Sequence, residues 1–171
     1  AGASIAPSAP ATCEGAAIVL KVREPQMNAA IGRHEADLVP EGAAYVSFLG
    51  RDRNSEAVQK LLARKVNAFS MEMIPRTSRA QSMDALSSMA GVAGYKAALW
   101  GAAALGKFFP LKMTAAGTIA PANVFVLGCG VAGLEALATC RKLGAVVEAY
   151  DVRPAVKEEV ESLGGRFVQI E

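Results

Sequence analysis

The chain has 171 residues, enough for one domain or two small ones, and 52% of them are hydrophobic, which allows a substantial core. Its 18 lysines and arginines nearly balance 16 aspartates and glutamates, and no basic run marks a nucleic-acid or lipid-binding surface. Three cysteines without C-x-x-C spacing argue against a disulfide framework, and together with the single histidine they argue against a metal site. We also expect no nucleic-acid partner.

The beginning of the chain predicts a leading segment followed by an incomplete α/β domain. Residues 1–15 begin with an Ala/Ser/Pro-rich run that lacks the features of a signal peptide, and we expect a flexible or truncated segment there. Strands are predicted at 16–22, 43–49 and 68–74, and an amphipathic helix capped by Asn54 at 55–65. Because a strand–helix–strand crossover makes the strands parallel, residues 16–80 predict a partial Rossmann-like first domain.

The middle of the chain predicts a long helix. A polar loop at 76–79 leads into a helical stretch from about 81 to 108. Its segment 85–105 approaches the length of a membrane span, but Lys96 near its centre and many small residues favour a buried helix instead. A connection punctuated by Gly and Pro follows, so residues 81–120 are assigned to a linking helix and connection.

The end of the chain predicts a second strand–helix alternation. Strands are predicted at 123–127, 146–151 and 166–170, and helices at 131–143 and 155–163. Residues 121–171 therefore predict one half of a doubly wound sheet. The predicted fold class is α/β, with two Rossmann-like doubly wound parallel-sheet domains, both of them incomplete, joined by the long helix.

A glycine motif opens the second domain. Gly128-Cys129-Gly130-Val131-Ala132-Gly133 follows an apolar strand and begins a helix, which is the context that the dinucleotide fingerprint G-x-G-x-x-G requires. Gly128 allows the tight turn, Gly130 lets the backbone approach a pyrophosphate, and Gly133 lets the helix pack closely on the strand. The pyrophosphate is expected at the helix N-terminus, where unpaired N–H groups favour negative charge. A glycine-rich turn of another α/β protein is the alternative interpretation.

An acidic residue ends the next strand. Asp151 lies 23 residues after Gly128, where a carboxylate accepts hydrogen bonds from the adenine-ribose hydroxyls and repels the 2′-phosphate of NADP. Arg153 lies two residues further and could accommodate that phosphate. Because the carboxylate stands first, at the strand end, the sequence favours NAD(H).

A second polar cluster runs from Pro75 to Ser88. Residues 77, 81, 84 and 88 share one face if the segment is a continuous helix. A polar surface of this kind, after a strand and before a helix, is expected to face a cleft. The alternative is a simple helix start, in which Ser78 or Ser82 caps the helix while charged side chains are solvated.

These stretches resemble one known family. PRTSRAQSMDALSSMAGVAGYKA resembles the signature of the NAD(H)-binding component, domain I, of proton-translocating nicotinamide nucleotide transhydrogenases. MTAAGTIAPANVFVLGCGVAGLEA and LGAVVEAYDVRPAVKEEVESLGGRF resemble its nucleotide-binding domain, and IVLKVREP resembles the preceding domain. The Arg-x-Ser-Arg-Ala-Gln-Ser-Met-Asp run separates this family from the alanine dehydrogenases, which share its two-domain architecture.

The resemblance implies roles for particular residues. The loop that holds the nicotinamide end of NAD(H) corresponds to Arg76, Thr77, Ser78, Arg79, Gln81, Asp84 and Ser87. Val131 corresponds to a backbone contact at the pyrophosphate, and the adenosine-ribose segment corresponds to Asp151, Val152 and Arg153. The cofactor-binding residues expected in the glycine motif are Gly128, Gly130, Val131, Ala132 and Gly133. The candidates for a part in hydride transfer are Gln81, Asp84 and Arg76. Tyr95 is expected in the core, and Cys129 departs from the family pattern.

The resemblance also implies a reaction and partners. In this family hydride passes from NADH on this component to NADP⁺ on a separate NADP(H)-binding domain, and a membrane-spanning domain carries the proton. Transfer between two carbon atoms needs no general acid or base, only two nicotinamide rings held about 3–3.5 Å apart. The resemblance further implies a homodimer, formed through family segments absent here, and a soluble chain attached to a bacterial or mitochondrial inner membrane, facing the cytoplasm or the matrix.

Two other functions compete with this interpretation. An alanine-dehydrogenase-like enzyme acting on a small amino acid needs an acid/base group beside its substrate. The sole histidine, His34, lies in a loop-like stretch and is expected to be solvated rather than catalytic. A non-catalytic NAD(H)-binding or sensing module is the second alternative.

Overall fold

Two parallel sheets organise the chain in the computed structural model, which describes residues 2–50 and 52–170. The chain divides into two units, Ala1–Ala85 and Leu86–Glu171, and each holds one three-stranded parallel sheet. The predicted α/β class with Rossmann-like parallel sheets is confirmed. The predicted end segments include Ala1 and Glu171, which lie outside the described residues.

The first unit is built around a sheet of three parallel strands, which lie in the order Ile18–Leu20, Ala44–Ser47 and Asn67–Ser70. Its elements are α1 (Ala9–Cys13), β1 (Ile18–Leu20), a hairpin of β2 (Met27–Asn28) and β3 (Arg33–His34), β4 (Ala44–Ser47), α2 (Ser55–Ala63) and β5 (Asn67–Ser70). Short 3-10 helices span Glu35–Leu38, Met71–Met73 and Ser78–Met83. The three parallel strands are those that the sequence predicts, but each is shorter. Helix α1 lies within the predicted leading segment, and none of its residues is buried.

The core of the first unit lies between its sheet and α2. It consists of Ala36, Val39, Ala43, Tyr45, Leu49 and Leu61. Helix α2 contributes Ala57 and Leu61, spaced four residues apart, as its buried face. Its predicted cap is confirmed, because Asn54 Oδ1 accepts a hydrogen bond from the amide of Ala57 at 3.4 Å. Asn54 Nδ2 also donates to the carbonyl of Pro25 at 3.0 Å, which ties the helix start to the chain after β1.

Two predictions in the first unit are wrong. The strand predicted to continue to residue 74 ends at Ser70, because the Glu72 carboxylate turns to accept hydrogen bonds from the amides of Leu49 (3.1 Å) and Gly50 (2.7 Å). His34 is buried rather than solvated, with 4% of its surface exposed. Its Nδ1 accepts the amide of Ala36 at 3.1 Å and so caps the 3-10 helix that follows.

The second unit repeats the strand–helix alternation around a sheet whose strands lie in the order Arg166–Phe167, Val146–Tyr150 and Asn123–Leu127. Its elements are α3 (Ala85–Ala104), which begins at the last residue of the first unit, a hairpin of β6 (Lys112–Thr114) and β7 (Gly117–Ile119), β8 (Asn123–Leu127), α4 (Val131–Lys142), β9 (Val146–Tyr150), α5 (Lys157–Ser162) and β10 (Arg166–Phe167). Helix α4 packs against the sheet through Leu137 and Cys140, which meet Val147 and Ala149 of β9 in one core cluster.

The predicted elements of the second unit differ from the structure mainly outside β8 and α4. The connection before β8 forms the β6–β7 hairpin. The helix predicted at 155–163 is divided into a 3-10 turn, Pro154–Val156, and α5. Strand β10 has two residues rather than the predicted five.

Helix α3 is mostly exposed, contrary to the prediction of a buried helix at 85–105. Within α3, all of whose residues are described, Gly94 and Ala98 alone are buried. Tyr95, predicted in the core, is 50% exposed because it lies one residue past the buried Gly94, off the face that packs. In the described part of the chain, no helix combines the length and the apolarity that crossing a membrane requires.

Candidate dinucleotide-binding site

The glycine turn between β8 and α4 has a fixed backbone. Gly128 adopts a φ of +91°, a conformation that L side chains rarely adopt, and its amide donates to the carbonyl of Tyr150 at 2.8 Å. This bond continues the β8–β9 pairing, in which Leu127 lies opposite Tyr150. The turn is therefore held at the carboxyl end of the sheet, where α/β folds bind their ligands.

The other two glycines of the motif have different roles. A Cβ added at Gly133 would overlap the carbonyl oxygen of Gly128, so Gly133 is needed for the close packing of α4 on the turn. A Cβ at Gly130 would meet no atom within 4 Å, and the φ of Gly130, −80°, suits any residue. Folding therefore does not require glycine at 130, and its open side is available to a phosphate.

Helix α4 presents its amino end at this open side. Gly130 is the N-cap, and Val131, Ala132 and Gly133 form the first turn. The first amides of a helix have no acceptor within the helix, and the helix dipole makes this end positive. Twelve residues of helix, from Val131 to Lys142, stand behind these amides. The start of α4 thus offers the N–H groups that an anion such as pyrophosphate binds.

Helix α3 contacts the same first turn. A Cβ added at Gly94 would overlap the carbonyl oxygen of Ala132, so the α3 and α4 backbones touch at this point. Ala98, four residues after Gly94, is buried on the same side of α3. Gly94 therefore positions the start of α4, a role that was not predicted from the sequence. The pair of small residues at helical spacing was the available signal.

Asp151 follows β9 directly and receives four N–H hydrogen bonds. Its Oδ2 accepts the amide of Cys129 at 2.7 Å and Nη2 of Arg153 at 3.1 Å. Its Oδ1 accepts the amide of Arg153 at 2.8 Å and Nε of Arg153 at 3.0 Å. The Asp151 side chain is 7% exposed, whereas that of Arg153 is 59% exposed. The carboxylate thus bridges the glycine turn and the segment after β9.

These bonds keep Asp151 ionised. The Arg153 guanidinium, then the amides of Arg153 and Cys129, hold the pKa of the carboxyl well below its usual range. The same pairing raises the pKa of Arg153. Arg153 Nη2 also donates to the carbonyl of Cys129 at 3.3 Å, so the guanidinium contacts both the glycine turn and Asp151.

The Cys129 side chain points away from the open side. The residue is 1% exposed, and its Sγ lies 3.7 Å from the carbonyl oxygen of Tyr150. Burial, followed by the negative charge of Asp151, raises the pKa of the thiol. The backbone amide of Cys129 therefore contributes to the site, while the thiol is shielded and protonated at neutral pH.

The polar cluster differs in character: its residues up to 85 lie in the first unit, whereas Ser87 lies in α3 in the second unit. Arg76, Thr77, Ser78, Arg79 and Gln81 are exposed, while Asp84 and Ser87 are partly buried. The prediction of one helical face through 77, 81, 84 and 88 is wrong, because residues 78–83 form a 3-10 helix that ends at Asp84 with a ψ of 84°. Helix α3 starts only after this break.

The structure brings one group of the predicted residues together within the second unit. This group comprises the glycine turn, the start of α4, and Asp151 with Arg153. Val152, between these two, is 80% exposed and makes no part of the network of four bonds to Asp151. The residues Arg76 to Asp84 belong to the first unit, so their joint action with the glycine turn stays a prediction.

Two family models match the chain over almost its whole length. Residues 1–93 match the description "Alanine dehydrogenase/PNT, N-terminal domain", and residues 97–171 match "Alanine dehydrogenase/PNT, C-terminal domain". The chain belongs to the alanine dehydrogenase/PNT family. The resemblance predicted from the glycine motif and the polar loop is thereby confirmed at the level of the family.

Several members of the alanine dehydrogenase/PNT family are transhydrogenase subunits that share high identity with this chain. It is 51% identical, over all of its 171 residues, to 44% of an NAD(P) transhydrogenase alpha-subunit chain of Rhodospirillum rubrum. It is 45% identical, again over its whole length, to 32% of NAD(P) transhydrogenase subunit alpha of Cereibacter sphaeroides. The chain thus spans less than half the length of these two curated relatives.

Solved structures of the same family share the fold. The transhydrogenase of Sinorhizobium meliloti matches 95% of this chain and 45% of its own, with a TM-score of 0.84 and 44% identity. An L-alanine dehydrogenase matches 99% of this chain and 46% of its own, with a TM-score of 0.74 and 25% identity. Both matches agree with the Rossmann-like architecture of the two sheets.

Proposed function

We propose that this chain is the NAD(H)-binding part of a proton-translocating nicotinamide nucleotide transhydrogenase. The observation that carries the proposal is the bond between the Cys129 amide and the Asp151 carboxylate, 2.7 Å long, which fixes an ionised group beside the glycine turn. The identity of 51% to a transhydrogenase alpha subunit supports this choice within the family.

The adenosine half of NAD(H) is assigned to the second unit. Its pyrophosphate lies against the amides of Val131, Ala132 and Gly133, with the open side of Gly130 admitting it. The adenine ribose bonds to Asp151. Because this carboxylate is ionised, it repels a 2′-phosphate, which favours NAD(H) over NADP(H).

The nicotinamide half is assigned to the polar loop of the first unit. Arg76, Gln81 and Asp84 are the candidates that orient the ring, and Thr77, Ser78, Arg79 and Ser87 are further candidate contacts. Bound NADH supplies the hydride. Exposed guanidinium and amide groups suit this task, because they hold polar groups in place without exchanging a proton. The role of the chain is then to present one ring to a second one.

The same proposal names partners. NADP(H) is held by a separate domain, and a membrane-spanning domain carries the proton. The assembly is a homodimer attached to a bacterial inner membrane on its cytoplasmic side, or to a mitochondrial inner membrane on its matrix side. The identity of 45%, over the whole chain, to NAD(P) transhydrogenase subunit alpha of Cereibacter sphaeroides supports a role as one subunit among several.

The amino-acid dehydrogenase alternative has less support. Its fold is shared, since the TM-score to an L-alanine dehydrogenase is 0.74. However, His34, the one histidine of the sequence, is buried and caps a 3-10 helix through Nδ1, which leaves it engaged in local structure. A direct assay separates the two: the transhydrogenase proposal expects hydride exchange with an NADP-binding partner and none with pyruvate and ammonia.

A glycine variant tests the proposed site. Gly130→Ala fits the folded chain, because its Cβ meets nothing within 4 Å, yet it fills the side that the pyrophosphate approaches. We expect NADH affinity to fall by about tenfold or more, which is roughly 1.4 kcal/mol, with an unchanged melting temperature. Titration of NADH into the full chain, wild type and variant, measures this. Gly101→Ala, in α3 with equal room for a Cβ, is the matched control and should bind as the wild type does.

The two assays together also test the non-catalytic alternative. A module that only senses NAD(H) would bind NADH, lose binding in Gly130→Ala, and exchange no hydride when an NADP-binding domain is added. Failure of wild-type NADH binding would overturn the proposed site itself.

A further inference from the structure

The carboxylate of Asp151 has no acceptor capacity to spare in the arrangement described. A carboxylate offers about four lone-pair sites. Four N–H groups fill them, two from backbone amides and two from the Arg153 side chain. A ribose diol can therefore bond to Asp151 only if it replaces one or more of these donors.

The two kinds of donor differ in how readily they can leave. The Cys129 amide belongs to the turn that Gly128 holds to Tyr150, and the Arg153 amide precedes a 3-10 turn whose Val156 amide bonds to the Arg153 carbonyl. Both backbone donors are fixed by neighbouring structure. The Arg153 guanidinium ends a long side chain that is 59% exposed, and exposed ion pairs contribute little to stability.

From this contrast we infer that Arg153 is a specificity-determining residue, whose guanidinium occupies the ribose-binding oxygens of Asp151 and must be displaced when the adenine ribose binds. This inference rests on the proposed NAD(H) function and deepens it. The two backbone amides keep the carboxylate in place during the exchange, so the ribose hydroxyls take over the sites that Nε and Nη2 leave.

The displaced guanidinium has consequences for selectivity. It stays within one side-chain length of Asp151, where it offers a forked donor to a 2′-phosphate. Glu159, on α5, also acts on Arg153 electrostatically and raises its pKa, so the surface nearby can receive the displaced positive charge. Arg153 therefore weakens NADH binding by competition and reduces the penalty that Asp151 imposes on NADPH.

The experiment replaces Arg153 by a side chain of similar reach without donors. In Arg153→Met the backbone amides still hold Asp151, and two acceptor sites become available. We expect NADH to bind about three- to tenfold more tightly and NADPH to bind no more tightly than to the wild type. Lys157→Met is the matched control, because Lys157 is a 53% exposed cation on α5 that pairs with Glu161. It removes the same charge and should leave NADH affinity unchanged.

An analogue of NADH whose adenine ribose lacks both hydroxyls makes the test specific. The gain in Arg153→Met should disappear for this analogue, because no hydroxyl is present to use the available oxygens. A gain of the same size for both ligands, or weaker NADH binding in Arg153→Met, overturns the inference. If wild-type protein binds NADH and the variant behaves in either of these ways, the inference alone fails. If wild-type protein binds no NADH, the proposed function fails as well, and the inference with it.

Discussion

The glycine turn of the second unit and the polar loop of the first unit are both dense in predicted site residues, but they are built differently. In the glycine turn the candidate binding groups are mainly backbone amides; the amide of Gly128 donates to the carbonyl of Tyr150 at 2.8 Å, and the amide of Cys129 donates to Asp151 at 2.7 Å. In the polar loop, the predicted residues from Arg76 to Gln81 are exposed side chains on a 3-10 helix. A substitution that alters a site made of backbone groups also alters the fold, whereas exposed side chains can be replaced while the fold is preserved.

The largest effect is expected from a substitution that disrupts the glycine turn. Gly133→Ala forces a Cβ against the Gly128 carbonyl, so α4 must move away from the turn. We expect the free energy of unfolding to fall by about 1–3 kcal/mol, the usual cost of overpacking, and NADH binding to fall with it. Urea unfolding followed by circular dichroism measures the loss. Gly130→Ala, in the same turn, is the control that should keep its stability; an equal loss in both variants would contradict the different roles assigned to these glycines.

The next effect tests whether α3 positions the site. Gly94→Ala should cost about 1–2 kcal/mol of stability and weaken NADH binding, since its Cβ would press on the Ala132 carbonyl at the start of α4. Gly101→Ala lies in the same helix with space around it, and should gain up to about 1 kcal/mol from helix propensity. If the contact between Gly94 and the Ala132 carbonyl matters, the melting temperature falls in Gly94→Ala and rises in Gly101→Ala. Stabilisation in both would mean that α3 does not restrain α4.

A third substitution removes Asp151, the carboxylate that we propose binds the adenine ribose beside the glycine turn. Asp151→Ala should weaken NADH binding by about 1–3 kcal/mol, the cost of losing hydrogen bonds to a charged group. The NADH dissociation constant measures this. The affinity for NADPH should fall less, because the repulsion of the 2′-phosphate is lost together with the ribose bonds. An unchanged NADH affinity would count against the ribose assignment.

The smallest effect on stability is expected in the polar loop. Gln81→Asn shortens an exposed side chain, so the free energy of unfolding should change by less than about 0.5 kcal/mol. Hydride transfer to an NADP analogue should nevertheless slow far more than NADH binding weakens, because the amide is shifted along the chain by one methylene group. Stopped-flow assays with matched NADH titrations separate rate from affinity. Equal losses in both would argue against an orienting role.

The sequence predicts much of the second unit for physical reasons. Strand β8 matches the prediction residue for residue, since an apolar run is bounded by proline before it and glycine after it. Helix α4 matches to within one residue at its end. The glycine fingerprint could be recognised because Gly128 and Gly133 meet conformational and packing requirements of a short segment that is local in sequence.

The sequence could not predict features that depend on contacts distant along the chain. His34 is a polar residue in a stretch without periodicity, and it is buried in β3, where it pairs with Met27 of β2. Helix α3 has apolar residues on all sides, so its pattern does not tell which face packs. The bonds from Arg153 to Asp151 join neighbours in sequence, but the bond from the amide of Cys129 to the same carboxylate joins residues 22 positions apart.

Glu72 places a carboxylate of the chain itself at the carboxyl end of the first sheet. At the carboxyl end of β4, the amides of Leu49 and Gly50 converge on one point, and the Glu72 carboxylate already sits there. The Glu72 carboxylate therefore accepts the hydrogen bonds that an anion from solution would otherwise accept at this end of the first sheet. In the second sheet Asp151 likewise accepts the amide of Cys129, but the first amides of α4 lie beyond that bond, so we expect an anion from solution to bind there rather than at the first sheet.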